Sequence, residues 1–474
     1  MRSLTVNLSR TPGRSAISRF AHVLLLLPAL MPAQTPPTGP HAGSAEHWVA
    51  TWATAQPLDA TNAAGPPRPP QQPGNGAAQG GGQLNGAAQG GGQLNGRGPG
   101  APGSSGQQGR GRAPQLNPPA TVTNQTVRMV AHTSIGGSRV RVEFSNAMQG
   151  AAVTLGPAHI AIRDKESAIV PGTDRILTFD GKPTCVLRPG VLIYSDALNL
   201  DFPAMTDLAV SVYVPGDSGP PTYHGVGLHT GYVSPGDTTA QVLMPEPTLT
   251  RAYLWLTAID VMAPPDASAI VAFGDSITDG NGTTNDGNAN WPSVLARRLA
   301  ANKATAHIAV VNSGISGNQV LRTFYGESAL ARFDRDVLSR AGVKWVVLLE
   351  GINDMTIHGQ NAADPLTAED MIAGYRLLIS RAHDRGIKVM GATVTPTERT
   401  LAGSGQVEQI RTAVNQWIRT GKAFDAVADF EAAVRDPDQP THLKAEYDSG
   451  DHLHPSDAGD QAMANSVNLS VFTK

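Results

Sequence analysis

The strongest constraint on the fold is an alternation of short apolar runs with amphipathic stretches, which begins at Ser268. The apolar runs are typical of strands that are buried on both faces of a parallel sheet. They predict strands at Ala269–Phe273, Ile308–Asn312, Trp345–Leu349, Val389–Thr393 and Ala426–Phe430. The amphipathic stretches predict helices, among them Trp291–Ala301, Met371–Arg385 and Val407–Thr420. Because strands alternate with helices, we expect five parallel strands with right-handed crossovers in a three-layer α/β/α domain.

The second of these helices has recognisable ends. Thr367 and Asp370, three residues apart, have the pattern of a capping box at its start. Gly386 is expected to end it, since glycine commonly follows the last turn of a helix.

Polar residues and glycines follow the predicted strands. Ser276 comes after the first strand, Gly317 after the second and Asn353 after the third. Asp451 and His454 come after the fifth. Because the carboxyl ends of parallel strands meet at one edge of a sheet, we expect these side chains to lie close together.

The residue types at this edge fit acyl transfer, which needs a nucleophile, a base, a group that orients the base and donors for the oxyanion. Ser276 can supply the nucleophilic hydroxyl, and His454 can take its proton. Asp451, three residues before His454, can fix the imidazole tautomer. The backbone N–H groups of Gly317 and Ser276 and the side-chain amide of Asn353 predict the oxyanion hole.

These blocks resemble the SGNH (GDSL-type) serine hydrolases. The invariant Ser, Gly, Asn and His of that family are matched, in order, within Gly274–Ser276, at Gly317, within Gly351–Asp354 and within Asp451–His454. The resemblance covers Ser268–Lys474, within a predicted catalytic domain at 265–474. It implies a flavodoxin-like domain that hydrolyses acyl esters and needs neither a metal nor a cofactor.

Other roles for the same residues remain open. His452 and His454, with Asp451, form a cluster of metal-ligand types, although no fourth ligand has a recognisable spacing. His452 is also an alternative base. Asn353 and Asp354 have the residue types that commonly cap helices.

The region 121–261 shows no long helical periodicity and predicts an all-β domain. Strands are predicted at His47–Ala55, Thr126–Thr133, Arg139–Phe144, Ala158–Arg163, Ile176–Phe179, Val191–Ser195 and Leu208–Val214. Ser134–Gly137 predicts the turn of a hairpin. We expect residues 44–261 to form a jelly-roll-like β-sandwich, and they resemble the β-domain of secreted family members, some grouped with plant-polysaccharide esterases.

Five residues of this region are candidates for chemistry by type alone. The histidines lack metal-ligand spacing and are interpreted as structural or surface residues: His132, His159, His224 and His229. Cys185 is the only cysteine, which excludes an intramolecular disulfide, and is interpreted as a half-buried residue beside a strand.

A low-complexity segment interrupts the β-domain at about 62–117. It consists mainly of Gly, Pro, Gln and Asn, and the unit 75–84 recurs unchanged as 85–94. Such a segment cannot bury enough apolar surface to offset the entropy of ordering, so we predict a disordered insert.

The N-terminal residues 1–33 combine arginines, an apolar run and small residues, which predicts a signal peptide and a secreted or periplasmic protein. No later stretch of the sequence has membrane-spanning length, so stable membrane insertion is not expected. The net charge of -3 argues against a nucleic-acid partner. The oligomeric state is left open.

The function expected from these features is hydrolysis of short acyl esters, with acetyl groups on a carbohydrate as the first choice. A lipase or thioesterase for longer acyl chains is one alternative. The other is a carbohydrate-binding protein in which the β-sandwich binds and the hydrolase domain is vestigial. The intact set of Ser276, Asn353 and His454 favours the enzyme, since a vestigial site usually loses its nucleophile or base.

Overall fold

The computed structural model describes residues 46–57, 118–148, 150–358, 365–397 and 405–473. His47–Lys474 forms one compact unit. The predicted signal peptide and the predicted insert at 62–117 lie outside the described residues. Within the described ranges, no helix is both long and apolar enough for a bilayer.

The N-terminal part of this unit is rich in antiparallel sheets, as the sequence predicts. Its strands are β1 Trp48–Ala53, β2 Gln125–His132, β3 Gly137–Ser145, β4 Val153–Leu155, β5 Ala158–Ile162, β6 Arg175–Leu177, β7 Cys185–Leu187, β8 Leu192–Tyr194, β9 Leu198–Phe202, β10 Asp207–Val214, β11 Tyr223–His224, β12 Gly231–Pro235, β13 Thr248–Thr250, β14 Tyr253–Leu254 and β15 Leu256–Met262. One sheet contains β1, β15, β3, β8 and β9, and a second has the order β13-β12-β2-β10-β5-β6. Alternating apolar side chains of both sheets, such as Val142 and Val210, belong to one buried core.

The prediction that β2 and β3 form a hairpin with its turn at Ser134–Gly137 is wrong. Strand β2 pairs with β10 and β12, whereas β3 pairs with strands of the other sheet. The connecting residues bond to β1 instead, because the Ser134 N–H donates to the Thr51 carbonyl (3.0 Å) and the Thr51 hydroxyl donates to the Ile135 carbonyl (2.7 Å). Alternation shows that each strand has an apolar face, but it does not identify the pairing partner.

The C-terminal part contains the predicted five-stranded parallel sheet. Its strands are β16 Ser268–Gly274, β17 Ile308–Gly314, β18 Val343–Leu349, β19 Lys388–Ala392 and β20 Ala426–Ala428. Their order is β17-β16-β18-β19-β20, a doubly wound order that reverses beside β16. The last strand is shorter than predicted because the Asp429 side chain accepts the Ala432 N–H (3.2 Å) and begins a helix there.

The helices form two groups, each defined by contacts among its own members. The helices are α1 Ser276–Asp279, α2 Trp291–Ala300, α3 Ala329–Phe333, α4 Ala368–His383, α5 Gly405–Thr420, α6 Phe430–Val434 and α7 Asp457–Ser466, with π-helical turns at Asp334–Leu338 and Asp354–His358 and a 3₁₀ turn at Leu469–Thr473. Helix α7 contacts α2 and α6, whereas α4 contacts α3 and α5. The capping box of α4 is present, with Thr367 and Asp370 bonded in both directions.

The β-rich region packs directly on the α/β domain. The Ala50 N–H of β1 donates to the Ala341 carbonyl (2.9 Å), and the Ser134 hydroxyl oxygen accepts the Val310 N–H (3.1 Å). Arg340 and Glu143 form a buried ion pair at 2.9 Å across the same contact. Residues that follow β16 and β17 are therefore within reach of the β-rich region.

Candidate active site

The position of Ser276 follows from the end of strand β16. Gly274 ends the strand where a Cβ would lie 2.1 Å from the Leu349 carbonyl oxygen, so only glycine fits. The Asp275 carboxylate caps α1 by accepting the Ile277 N–H (3.0 Å). Ser276, the first residue of that helix, is thus held at the carboxyl edge of the sheet.

His454 lies against Ser276 in hydrogen-bond geometry. Its Nε2 is 2.7 Å from the Ser276 Oγ, and its Nδ1 is 2.7 Å from Oδ2 of Asp451. An ionised carboxylate can only accept, so Nδ1 carries the hydrogen and Nε2 accepts from the serine hydroxyl. This is the arrangement that lets an imidazole take a proton from an attacking serine.

The loop before His454 fixes Asp451. Its Oδ1 accepts the N–H groups of Leu453 (3.1 Å) and His454 (2.8 Å). Partial burial raises the pKa of the Asp451 carboxyl, but the hydrogen bonds and charge of His454, with these two N–H groups, outweigh it and hold the pKa well below its usual value. Asp451 is therefore a carboxylate at neutral pH.

His452 has a different partner. Its Nδ1 lies 2.5 Å from Oδ2 of Asp448, and its backbone is left-handed, with φ of 63°. The structure therefore brings His454, and not His452, to Ser276. No group of three His, Cys, Asp or Glu side chains that could hold a metal ion occurs in the part of the chain that the structure describes.

The three predicted oxyanion donors lie at the same edge. The Ile315 N–H donates to the Gly274 carbonyl (3.0 Å), which ties the loop after β17 to the serine turn. The Asn353 Nδ2 donates to the Asn318 carbonyl (2.9 Å), one residue after Gly317. A side-chain amide nitrogen carries two hydrogens, so it can donate a second bond. Gly317 has φ of 80° and leaves no room for a Cβ, which would lie 2.3 Å from the Tyr325 ring.

The Asp354 side chain holds this loop through two hydrogen bonds to its backbone. Its two carboxylate oxygens accept the N–H groups of Val320 (2.7 Å) and Leu321 (3.0 Å). Burial raises the pKa of Asp354 to about 6, and these two hydrogen bonds act against that rise. The sequence left helix capping open as a role for Asp354, and the structure shows that its side chain bonds to the loop after β17.

Sequence reasoning missed Arg332 of α3, which is completely buried beneath the site. Its guanidinium donates to the carbonyl oxygens of Gly274 (2.9 Å) and Ser313 (2.8 Å) and to Oδ1 of Asn318 (2.8 Å). One side chain thus joins the ends of two strands and the oxyanion loop. An arginine in a short helix is normally exposed, so the sequence carries no signal for this role.

Buried carboxyl groups surround Arg332. Oε2 of Glu350 lies 3.5 Å from the guanidinium, and Oδ2 of Asp336 lies 3.2 Å from it. Burial raises the pKa of Asp275 to about 7; Asp354 adds to the rise, while the Ile277 N–H, His454 and Arg332 oppose it. The Asp275 carboxyl is therefore partly protonated near neutrality, which relieves repulsion among these acids.

Of the five candidates by residue type in the β-rich region, His224 and His229 contact residues that follow strand β16. Cys185 is half-buried on β7, as expected, and burial raises the pKa of its thiol to about 12. His224 contacts Asp279 of α1 at 2.9 Å. That contact is the second feature that sequence reasoning missed.

Comparison with known proteins gives one family match and a set of similar solved structures. Residues 272–462 match the model of the GDSL-like Lipase/Acylhydrolase family. No curated protein matches the chain. Similar solved structures include a G-D-S-L family protein from Desulfitobacterium hafniense (20% identity, 44% of this chain and 99% of the other, TM-score 0.33). An acetyl xylan esterase from Geobacillus stearothermophilus is also similar (22% identity, 42% of this chain and 93% of the other, TM-score 0.32). So is a GDSL-like lipase from Bacteroides thetaiotaomicron (17% identity, 43% of this chain and 88% of the other, TM-score 0.31).

Proposed function

Because residues 272–462 form a GDSL-like lipase/acylhydrolase domain, we propose that this chain is a secreted or periplasmic serine esterase that hydrolyses short acyl esters. The observation that carries the proposal is the continuous contact of Ser276 Oγ, His454 and Asp451, with 2.7 Å at each step. The proposed natural substrate is an esterified carbohydrate, and the proposed acyl group is acetyl. Both rest on the resemblance of the sequence blocks and of the β-rich region to secreted esterases.

In the first half of the reaction, the Ser276 Oγ attacks the ester carbonyl carbon while Nε2 of His454 takes the hydroxyl proton. The carbonyl oxygen becomes an oxyanion that accepts from the Ser276 and Gly317 N–H groups and the Asn353 amide. Collapse breaks the bond to the alcohol oxygen, to which His454 returns the proton. The product of this half is an alcohol and an acyl-Ser276 ester.

The second half releases the acid. Nε2 of His454 takes a proton from water, whose oxygen attacks the acyl carbon, and the same three donors hold the oxyanion. Collapse breaks the bond to Ser276 Oγ, which regains its proton from His454. Asp451 keeps the imidazole in one tautomer and stabilises the cation that forms in both halves.

Short acyl groups are favoured by the polar surroundings of the serine. Asn281 and Ser316, which lie in the loops after α1 and β17, bond to each other at 2.8 Å. Aromatic residues make up 5% of the chain, and its sequence shows no obvious apolar lid. A site for long acyl chains needs apolar surface to bind them, at ~0.8 kcal/mol per buried CH₂.

The test is a series of p-nitrophenyl esters of increasing acyl length, assayed with the wild-type protein and a folded Ser276→Ala variant. We expect kcat/KM to be highest for the acetyl or propionyl ester and to be lost in the variant. A maximum beyond about eight carbons would favour the lipase alternative. Polysaccharide binding by the full chain without turnover of any ester would favour the vestigial-hydrolase alternative.

A further inference from the structure

His224, on strand β11 of the β-rich region, has oxygen acceptors at both ring nitrogens. Its Nδ1 lies 2.6 Å from the Ala55 carbonyl oxygen. Its Nε2 lies 2.9 Å from Oδ1 of Asp279 and 3.1 Å from the Val226 carbonyl oxygen. The side chain is only 4% exposed, so water does not supply these contacts.

The partners require both nitrogens of His224 to donate. Backbone carbonyls cannot donate, and neither can an ionised carboxylate, so both contacts are satisfied at once only by the imidazolium. Burial lowers the pKa of His224, but the charge and hydrogen bond of Asp279, together with the two carbonyls, outweigh it and raise the pKa above its ordinary value. His224 and Asp279 therefore form a buried ion pair between the β-rich region and helix α1.

The other titratable groups near His224 leave this pairing intact. The Tyr253 ring lies 6.4 Å away, and its hydroxyl donates to the Val130 carbonyl (2.8 Å). His132 and His229 line the same small cavity. Each has its own partner, because His132 contacts Asp207 at 2.6 Å and His229 contacts Asn288 at 2.8 Å.

The second oxygen of Asp279 holds the oxyanion loop. Oδ2 accepts both the backbone N–H (3.0 Å) and the hydroxyl (2.6 Å) of Ser316. Ser316 directly precedes Gly317, whose N–H is a proposed oxyanion donor. A continuous chain of contacts thus runs from His224 through Asp279 and Ser316 to the site.

We propose that His224 is a positioning residue: as an imidazolium it fixes the Asp279 carboxylate, and through it the Ser316–Gly317 backbone. This inference rests on the proposed esterase function, in which Gly317 stabilises the oxyanion. Without the Nε2 donor, Asp279 loses the hydrogen bond that fixes its carboxylate, and the loop loses its support. Oxyanion donors act mainly in the transition state, so the loss falls on kcat rather than on KM.

The test compares two neutral amides at position 224. The amide nitrogen of Gln reaches the position of Nε2 and can still donate to Asp279, whereas that of Asn reaches only the position of Nδ1. We expect His224→Asn to lower kcat by roughly 10- to 100-fold with KM nearly unchanged, and His224→Gln to restore most of it. His159→Asn is the matched control, since His159 pairs with Asp174 at 2.8 Å within the β-rich region. We expect kcat and KM of this variant to stay at wild-type values.

Hydrogen exchange supplies a readout that does not depend on turnover. In the peptide that contains Ser316 and Gly317, we expect faster exchange in His224→Asn than in the wild-type protein, and near wild-type exchange in His224→Gln. If Ser276→Ala retains ester turnover, the proposed function fails, and the exchange rates still decide whether His224 supports the loop.

Equal kcat values for the Asn and Gln variants, whether both normal or both low, would overturn the positioning role, as would unchanged exchange in His224→Asn. If His224→Asn does not fold, Ser316→Ala tests the other end of the chain of contacts, because it removes the 2.6 Å bond to Asp279. We expect it to lower kcat in the same way, and a wild-type kcat would reject the proposal.

Discussion

Replacement of His454 by Asn is expected to lower kcat for a p-nitrophenyl acetate substrate by about 10⁴-fold or more, the scale seen when a serine triad loses a member. His454 takes the proton of Ser276 across a 2.7 Å contact, so loss of either residue stops the same step. The Ser276→Ala and His454→Asn losses should therefore not add in the double variant. Steady-state kinetics of the two single variants and the double variant measure this directly.

His452→Asn is the matched control for this prediction. It makes the same substitution two residues away, and Asn tolerates the left-handed backbone at His452 (φ 63°). Because His452 contacts Asp448 and not Ser276, we expect its kcat to stay within a few-fold of the wild-type value. Activity that survives loss of His454 but not of His452 would show that the base is assigned to the wrong histidine.

Replacement of Arg332 by Leu is expected to lower the free energy of unfolding by roughly 3–5 kcal/mol, the scale for removing one partner from a buried ionic cluster. The change removes the Arg332 donor from the Ser313 carbonyl and the Asn318 side-chain oxygen. The Gly274 carbonyl loses the same donor but keeps the Ile315 N–H. A buried acceptor that is left without any donor costs about 1–3 kcal/mol. Asp336 and Glu350 also lose a neighbouring positive charge.

Denaturant-induced unfolding of the wild-type protein and the variant measures this difference. Arg385→Leu serves as the control, because Arg385 is exposed in the turn after α4 and its loss is expected to cost within about 0.5 kcal/mol. Similar denaturant midpoints of unfolding for the Arg332 and Arg385 variants would contradict the stabilising role assigned to Arg332 and its buried partners. In that case the strand ends at Gly274 and Ser313 would have to be held mainly by the sheet itself.

The α/β part of the fold was predictable because its signals are local. Each buried strand is a short apolar run, and the run ends where glycine and polar residues begin, as at Gly274. Parallel strands place their carboxyl ends at one edge of a sheet, so the sequence alone predicts that Ser276, Gly317 and Asn353 lie together. Their roles in catalysis stay predictions until the variants are assayed.

The features that could not be predicted depend on tertiary partners. The alternating pattern of β2 and β3 fits either a hairpin or strands of two facing sheets. Only the hydrogen bonds between Ile135, in the connection between them, and Thr51 of β1 decide between the two arrangements. From the sequence, Arg332 is expected to be an exposed helical arginine, because its three acceptors lie in other segments and are known only from the structure. The pairing of His224 with Asp279 joins residues that are 55 positions apart and lie in different parts of the fold.

The most direct test of the central claim is covalent capture of Ser276. The wild-type protein is incubated with a fluorophosphonate, which reacts with activated serine hydroxyls, and the intact mass and the modified peptide are determined by mass spectrometry. We expect one adduct per chain, on Ser276, with no adduct in Ser276→Ala and much slower formation in His454→Asn. An adduct on another residue, together with ester turnover that persists in Ser276→Ala, would contradict the account.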